Sequence, residues 1–231
     1  MCGRFTQYQG LADYLAALQS EQDIISGYDN VPQGRYNIAP HQVVPLLHAD
    51  AGGLAFTSLP WRWKPHWAGE GGPPNDFNAR RDKVATSKFY RSIWPHRAIL
   101  FADGWYEWQK DPEVPKIKQP FFIRQANGQP LCIAAIGQFP MQGEGARDDD
   151  GFRMITDDAE GGMLDVHDRR PVVLSPEQAR EWLDLETSSE RAEQLLHEAL
   201  PEDAFEWYPV GNAVGNWRNN GPELIQPIGG H

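Results

Sequence analysis

The amino-acid sequence predicts a single α+β domain over residues 1–231, with an antiparallel, barrel-like β core flanked by helices. Three observations support this fold class. The length of 231 residues fits one large domain. The 22 glycines and 19 prolines indicate many turns, which are typical of a β-rich fold. Short apolar runs of strand length recur between these turns, and helical periodicity is confined to three stretches.

The individual elements follow in chain order. Residues 11–19 carry apolar groups at helical spacing and predict an amphipathic helix. Strands are predicted at 43–48, 54–59, 98–102, 105–109, 120–124, 130–136 and 152–156, the first two joined across 50–53. The Asp103-Gly104 pair predicts a tight hairpin, a turn in which both positions require positive φ. Ser-Pro-Glu at Ser175 predicts a helix N-terminus, and a further helix is expected over 188–199.

Charge is unevenly distributed along the chain. The 32 acidic and 21 basic residues give a net charge of -11, which disfavours a protein that coats duplex nucleic acid non-specifically. Residues 62–97 nevertheless contain eight basic and three acidic side chains, whereas residues 140–206 contain six basic and 19 acidic ones. This asymmetry allows a local basic face, although the sequence alone favours the simpler interpretation of two ordinary solvated surfaces.

The sequence also restricts location and cofactors. No apolar run approaches the roughly 18 residues of a membrane span, and the N-terminus lacks the apolar region of a secretory signal. The two cysteines, Cys2 and Cys132, form no disulfide framework, which fits a reducing cytoplasm. The histidines and cysteines show no zinc-ligand spacing, so we expect neither a metal nor a cofactor. Cys132 lies in an apolar run and is expected to be a buried core thiol.

Cys2 is the first candidate for chemistry because of its position. Methionine is usually removed when the second residue is small, and the mature chain would then begin with a cysteine. Its α-amine and thiol would form a 1,2-aminothiol, with ordinary pKa values near 7.7–8.0 and 8.5. Such a group condenses with an aldehyde to a Schiff base that closes to a thiazolidine, or attacks an acyl carbon. The alternative is an incidental small residue near a terminus.

Two further residues are candidates for proton transfer. Glu107 lies within Gly-Trp-Tyr-Glu-Trp, and a carboxyl among large apolar rings tends to have a raised pKa. It is otherwise an outward-facing strand glutamate. His167 lies on a predicted loop beside Asp168 and two arginines, where either a catalytic or a structural role is open.

Several residues have the chemistry of nucleic-acid contacts. Arg80, in Asn78-Ala79-Arg80, and Arg169 present guanidinium groups that bind phosphate in a fork, although exposed arginines often bind no ligand. Trp63 and Trp67 flank Pro65 near the basic stretch. Tryptophans in such a setting stack on unpaired bases, although core packing explains any single tryptophan.

Together these motifs resemble the SRAP (SOS-response-associated peptidase) family. The likeness covers essentially the whole chain, in order. The residues that carry it are Met-Cys-Gly-Arg-Phe at the start, residues 36–40 (Tyr-Asn-Ile-Ala-Pro), Asn78-Ala79-Arg80, residues 102–108 (Ala-Asp-Gly-Trp-Tyr-Glu-Trp), residues 167–171 (His-Asp-Arg-Arg-Pro), Pro209-Val210, Asn216 and residues 222–225 (Pro-Glu-Leu-Ile).

The resemblance implies a function and a set of site residues. It implies a protein that binds single-stranded DNA and crosslinks covalently to abasic sites. It also implies a peptidase that removes the residue ahead of its cysteine. We expect the protein to be a monomer of the bacterial cytoplasm that is associated with the nucleoid when bound to DNA. By this likeness Cys2 is the nucleophile, with Asn78, Glu107 and His167 as catalytic partners. The implied DNA contacts are Arg4, Asn37, Pro40, Trp67, Arg80 and Arg169.

Three positions depart from the family pattern. The usual Trp-Gly stretch reads Trp61-Arg62-Trp63, a second aromatic after Trp67 is replaced by Ala68, and Asp82 stands where glutamate is usual. These departures concern the stacking of side chains on DNA bases and the contacts that hold the DNA strand. The crosslinking chemistry does not depend on them. Two alternative functions stand beside the crosslinking hypothesis because Cys2 could also attack a peptide carbonyl or be incidental. One is a thiol hydrolase with His167 as base and Asn78 as oxyanion donor, and the other is a non-covalent single-strand binder.

Overall fold

The structure is a computed structural model that describes residues 2–29, 31–68, 76–114, 116–141 and 144–229. Within these ranges it contains fourteen strands and four α-helices. The strands are β1 Phe5–Gln7, β2 Ile24–Ser26, β3 Arg35–Ile38, β4 Val43–Asp50, β5 Gly53–Pro60, β6 Asn78–Arg80, β7 Arg97–Ala102, β8 Gly104–Lys110, β9 Lys118–Gln125, β10 Leu131–Gln138, β11 Gly151–Asp158, β12 Arg169–Pro171, β13 Val173–Leu174 and β14 Phe205–Pro209. The helices are α1 Leu11–Leu18, α2 Arg81–Val84, α3 Pro176–Leu183 and α4 Ser189–His197.

The strands form two sheets. One has five strands in the order β14-β9-β8-β1-β3, and the other follows the order β12-β11-β10-β7-β4-β5-β2, with β13 beside β10 and β6 beside β11. In the described part of the chain, all strand pairs are antiparallel except β6–β11 and β2–β5. The predicted α+β class and antiparallel core are therefore confirmed.

The two sheets do not close on themselves, so the expected barrel-like shape holds only loosely. Both sheets are open in the described part of the chain, and their outermost strands, β14, β3, β12 and β2, have three to five residues each. Edge strands this short present few backbone N–H and C=O groups for pairing with another strand. Each sheet therefore ends at these strands and does not close into a barrel.

Two layers of apolar side chains hold the sheets and helices together. Phe5 and Trp105 of the five-stranded sheet pack with Leu100, Ile133 and Phe152 of the larger sheet in one cluster. A second cluster lies between the larger sheet and the helices, with Tyr14, Leu18, Trp182, Leu195 and Leu196 among its members. The shared core supports the predicted single domain over 1–231, which stays a prediction.

Most locally encoded elements were predicted correctly. The helix expected at 11–19 is α1, and the strands expected at 43–48 and 54–59 are the antiparallel hairpin β4–β5. Ser175 is the N-cap of α3, and its hydroxyl accepts a hydrogen bond from the Gln178 amide in a capping box. Among the described residues no helix has the length and hydropathy needed to cross a membrane.

The hairpin predicted at Asp103-Gly104 is wrong, because the chain there passes from one sheet to the other. β7 pairs with β10 and β4, whereas β8 pairs with β1 and β9. Neither turn residue has positive φ. The Asp103 carboxylate instead accepts hydrogen bonds from the Tyr8 amide (2.6 Å) and the Tyr14 hydroxyl (2.9 Å). Gly104 is required by packing, since a Cβ would lie 2.3 Å from the Phe122 ring.

Candidate functional site

Cys2 lies shortly before β1, and the pairing of this strand fixes the position of Cys2 inside the molecule. β1 is paired on both sides, with Phe5 opposite Ile38 of β3 and opposite Trp105 of β8. Cys2 itself is only 1% exposed, and its thiol donates a hydrogen bond to the Arg169 carbonyl at 3.5 Å. The strand pairing therefore holds a nucleophilic residue near the terminus in one place.

Glu107 reaches the same point from β8. It is 2% exposed, and this burial raises the pKa of its carboxyl from 4.5 to about 7, although a hydrogen bond from the Cys2 thiol opposes the rise. Burial also raises the pKa of the Cys2 thiol, and the nearby Glu107 carboxylate adds to the increase. The outward-facing alternative for Glu107 is thus wrong. The site holds a carboxyl that titrates near neutrality beside a thiol that stays protonated there.

His167 completes this group from the loop before β12. Its Nε2 lies 3.7 Å from Glu107 Oε2, and its Nδ1 accepts a hydrogen bond from the Arg169 amide at 3.0 Å. Burial lowers the pKa of His167, so the ring is neutral at neutral pH. With Nδ1 accepting, the ring proton sits on Nε2 and faces Glu107. Asp168 Oδ1 also lies 3.1 Å from Nδ1, but Asp168 is largely exposed. It forms an ion pair with the His167 ring only when the ring is protonated.

Asn78 positions the backbone of Cys2 from β6. Its Nδ2 donates a hydrogen bond to the Cys2 carbonyl at 2.7 Å. β6 runs parallel to β11, and this pairing places Asn78 opposite Met154. Four predicted catalytic residues from four separate segments therefore meet at one point.

Arg153 supports Asn78 and was not anticipated as a site residue. It is 1% exposed, and its guanidinium donates to the Asn78 carbonyl (2.9 Å) and the Trp63 carbonyl (2.7 Å). The same group lies 4.9 Å from the centroid of the Phe89 ring. The sequence signal for this role was an arginine inside the otherwise apolar start of strand 152–156.

Both arginines proposed for phosphate binding are paired with carboxylates. Arg80 donates to Asp82 through Nε (2.8 Å) and Nη2 (3.0 Å), a two-pronged contact between exposed groups. Arg169 pairs through Nη1 with Asp158, and its Nη2 donates to the Thr156 carbonyl (2.8 Å) and hydroxyl (3.0 Å). The structure thus shows two oriented guanidinium groups, each of which already pairs with a carboxylate, Arg80 through two nitrogens and Arg169 through one.

Arg4 and Asn37 are bound to the C-terminal segment. Arg4 Nη1 donates to Asn37 Oδ1 (2.8 Å) and to the Val214 carbonyl (2.9 Å). The Asn37 amide donates to the carbonyls of Val214, Asn216 and Asn219 at 3.0–3.2 Å. These bonds give both residues a structural role, and their predicted DNA contacts stay predictions.

The two remaining predicted DNA contacts lie at the surface. Trp67 is 63% exposed in a 3₁₀ turn and meets Phe89 edge-on, whereas Trp63 is buried in the core. Pro40 is half-buried just after β3. Part of the basic stretch, the loop 69–74, falls outside the described residues. Among the described residues no cluster of three or more His, Cys, Asp or Glu side chains is arranged to hold a metal.

Comparison with known proteins identifies the family of the chain. The sequence profile of the family described as SOS response associated peptidase (SRAP) matches residues 1–217. Abasic site processing protein YedK of Escherichia coli (strain K12) is 45% identical over 230 residues, covering 99% of this chain and all of that protein. Abasic site processing protein YoaM of Bacillus subtilis (strain 168) is 30% identical, with 97% of each chain covered.

A solved structure extends the likeness to three dimensions. The crystal structure of a phage-related protein from Bordetella bronchiseptica superposes with a TM-score of 0.74 at 38% identity, covering 90% of this chain and 94% of that one. The family match spans most of the sequence and includes every residue of the candidate site. The chain therefore belongs to the SOS response associated peptidase (SRAP) family.

Proposed function

We propose that this protein processes abasic sites in single-stranded DNA by forming a covalent bond through Cys2 after removal of Met1. The observation that carries the proposal is the meeting of Cys2, Asn78, Glu107 and His167 at the start of β1. The names of the relatives YedK and YoaM as abasic site processing proteins support the choice of substrate. One chain supplies the whole site, so a monomer acting on nucleoid DNA in the bacterial cytoplasm is sufficient.

The reaction joins an aminothiol to an aldehyde. The Cys2 amine attacks C1′ of the ring-opened abasic sugar to give a carbinolamine. Loss of hydroxide as water leaves a protonated Schiff base, and the thiol adds to its carbon while giving up its proton. The product is a five-membered thiazolidine ring, and one water is released overall. No oxidant or metal is needed for this balance.

Proton transfer is assigned to Glu107 and His167. The amine must lose a proton, and Glu107, with its pKa near 7, accepts one at neutral pH. The sugar ring oxygen must gain a proton to open, and His167 donates it as imidazolium, which forms when the neutral ring takes up a proton from the nearby Glu107 carboxyl. Because the two side chains approach within 3.7 Å, they exchange protons and titrate as a pair.

The raised thiol pKa weighs against the alternative of a general thiol hydrolase. Such an enzyme needs a thiolate, whereas burial and the Glu107 carboxylate both favour the protonated thiol of Cys2. We therefore propose that the amine reacts first and that peptidase activity is limited to removal of Met1.

The test uses processed protein and a single-stranded oligonucleotide with one abasic site. We expect a heat-stable band on a denaturing gel for the wild type and for Cys132→Ala, and none for Cys2→Ala. Cys132 is the matched control because it is also a buried free thiol. An adduct from Cys2→Ala would refute the proposal. Binding without any band would favour the non-covalent alternative, and peptide cleavage without an adduct would favour the hydrolase.

A further inference from the structure

We propose that Asp82 and Asp158 are specificity-determining residues, which occupy the phosphate-binding forks of Arg80 and Arg169 and keep affinity for undamaged single strands low. The inference rests on the proposed function, because it concerns the DNA contacts of the same site. It adds a role for two acidic residues that take no part in the covalent chemistry.

The strand pairing places the two arginines on one face of the sheet. Thr156 of β11 lies opposite both Arg80 of β6 and Pro171 of β12, so β6 and β12 flank β11 on its two edges. Asp158 lies directly opposite Arg169. Side chains two residues apart on a strand share a face with their cross-strand neighbours. Arg80, Thr156, Asp158 and Arg169 therefore lie side by side.

Arg80 holds its carboxylate with the two-nitrogen fork with which it would hold phosphate, whereas Arg169 holds Asp158 through Nη1 alone. Arg80 contacts Asp82 through two nitrogens, and Arg169 pairs with Asp158 while Thr156 fixes its other nitrogen. Guanidinium groups bind carboxylate and phosphate with the same planar fork. Arg80 also holds the pKa of Asp82 below its ordinary value, so this carboxylate stays ionised at neutral pH.

Because of these ion pairs, DNA binding at Arg80 and Arg169 exchanges one anion for another and does not bring a phosphate to an unpaired guanidinium group. A phosphate that reaches Arg80 or Arg169 displaces a carboxylate, and the gain in attraction is reduced accordingly. Asp82 and Asp158 are about half and three-quarters exposed, so they can leave without burying a charge. The chain of net charge -11 thus keeps its arginines oriented without holding every single strand it meets.

Weak non-covalent binding serves a protein that is retained by a covalent bond. On an undamaged strand no bond forms, and low affinity releases the protein. At an abasic site the thiazolidine retains it, whatever the strength of the phosphate contacts. Asp82 and Asp158 therefore sharpen the difference between damaged and undamaged DNA.

The experiment measures binding of an undamaged single-stranded oligonucleotide by fluorescence anisotropy at several salt concentrations. The variants are Asp82→Asn, Asp158→Asn and the double variant. Glu186→Gln is the control of equal charge change, since Glu186 lies in the loop between α3 and α4 and is exposed without an ion pair in the described part of the chain. Improved binding is an informative readout because a misfolded variant does not gain affinity.

We expect each single variant to bind a few-fold more tightly and the double variant about 10-fold more tightly, with a steeper salt dependence, by about 0.7 in slope for each additional phosphate bound. Glu186→Gln should change little. With excess undamaged competitor, the double variant should also crosslink an abasic strand more slowly than the wild type. Unchanged or weaker binding, or an equal gain in Glu186→Gln, would overturn the inference. Wild-type crosslinking, measured alongside, tests the proposed function separately.

Discussion

The centre and the rim of the site are built differently. At the centre, Cys2 and Glu107 are almost fully buried, and strand pairing and hydrogen bonds fix them. At the rim, Arg80 and Trp67 are exposed, and the arginine contacts are ion pairs with surface carboxylates. Buried ionisable groups can have strongly shifted pKa values, but their burial lowers the stability of the fold. Exposed ion pairs are weak and exchange partners easily. The comparison teaches that the arrangement of the central residues is preformed, whereas the proposed DNA contacts at the rim require the arginines to exchange a carboxylate for a phosphate.

The largest effect should follow from removing the central carboxylate. Glu107→Gln keeps the shape of the side chain but cannot accept a proton, so we expect single-turnover crosslinking to slow by about 10³-fold. The wild-type rate should rise with pH through about 7, where Glu107 ionises, and the variant should not show this rise. The measurement is a set of rates at saturating DNA from pH 5 to 9. A variant that keeps both rate and pH profile would remove Glu107 from the chemistry.

The same substitution should reveal what the preformed centre costs in stability. The pKa of Glu107 is raised from 4.5 to about 7, so ionisation is harder in the folded protein than in the unfolded chain. The free energy of unfolding should therefore fall as pH rises from about 4.5 and level off above about 7. At 1.36 kcal/mol per pH unit, the decrease is about 3 kcal/mol.

Urea unfolding of wild type and Glu107→Gln at several pH values checks this expectation. The variant should gain about 3 kcal/mol over the wild type between pH 4.5 and 8. Asp103, whose pKa burial raises to about 6, titrates in both proteins and cancels in the difference. A difference that does not change with pH would mean that Glu107 ionises normally.

A smaller effect on the crosslinking rate is expected from removing His167, the neighbour of Glu107. His167→Ala should slow crosslinking by about 10²-fold or less while binding of undamaged DNA stays near normal. If His167 only braces the loop through the Arg169 amide, affinity and rate should fall together. Rates at saturating DNA separate the two roles. A wild-type rate for His167→Ala under these conditions would contradict the acid role and leave the bracing role.

The smallest effect concerns the rim. Arg169→Ala and Arg80→Ala should each weaken binding of single strands several-fold and flatten the salt dependence, by about 0.7 in slope for each phosphate that the variant no longer binds. Arg124→Ala is the matched control, since Arg124 also forms an exposed ion pair, with Glu206, but on the five-stranded sheet. Anisotropy titrations at several salt concentrations give both quantities. Equal salt-dependence slopes in the wild type and the three variants would show that Arg80 and Arg169 have structural roles and do not bind phosphate.

Local sequence signals predicted local structure. The β4–β5 hairpin and the Ser175 cap depend on neighbouring residues, and both were predicted correctly. The change of sheet at Asp103 depends on Tyr8 and Tyr14, almost a hundred residues earlier, and no local pattern reveals it.

The site divides in the same way. The motifs indicated Cys2 and Glu107 as candidates, but the burial of Glu107 depends on sheet packing. Strand register determines the pairing of Asp158 with Arg169, and the support of Asn78 by Arg153 is equally non-local. Sequence therefore predicted which residues could react, and only the structure shows how each is held.

The most direct test of the central claim is the mass of the adduct formed with and without a free Cys2 amine. Processed wild type should give a product equal to protein plus abasic strand minus one water. A version with an uncleavable extension ahead of Cys2 should fold normally and give none, because its amine has become an amide. Cys2→Ser should give only a reversible adduct that borohydride traps. Equal adduct yield from the extended protein would contradict the account, since it would show that the amine is not the entry point.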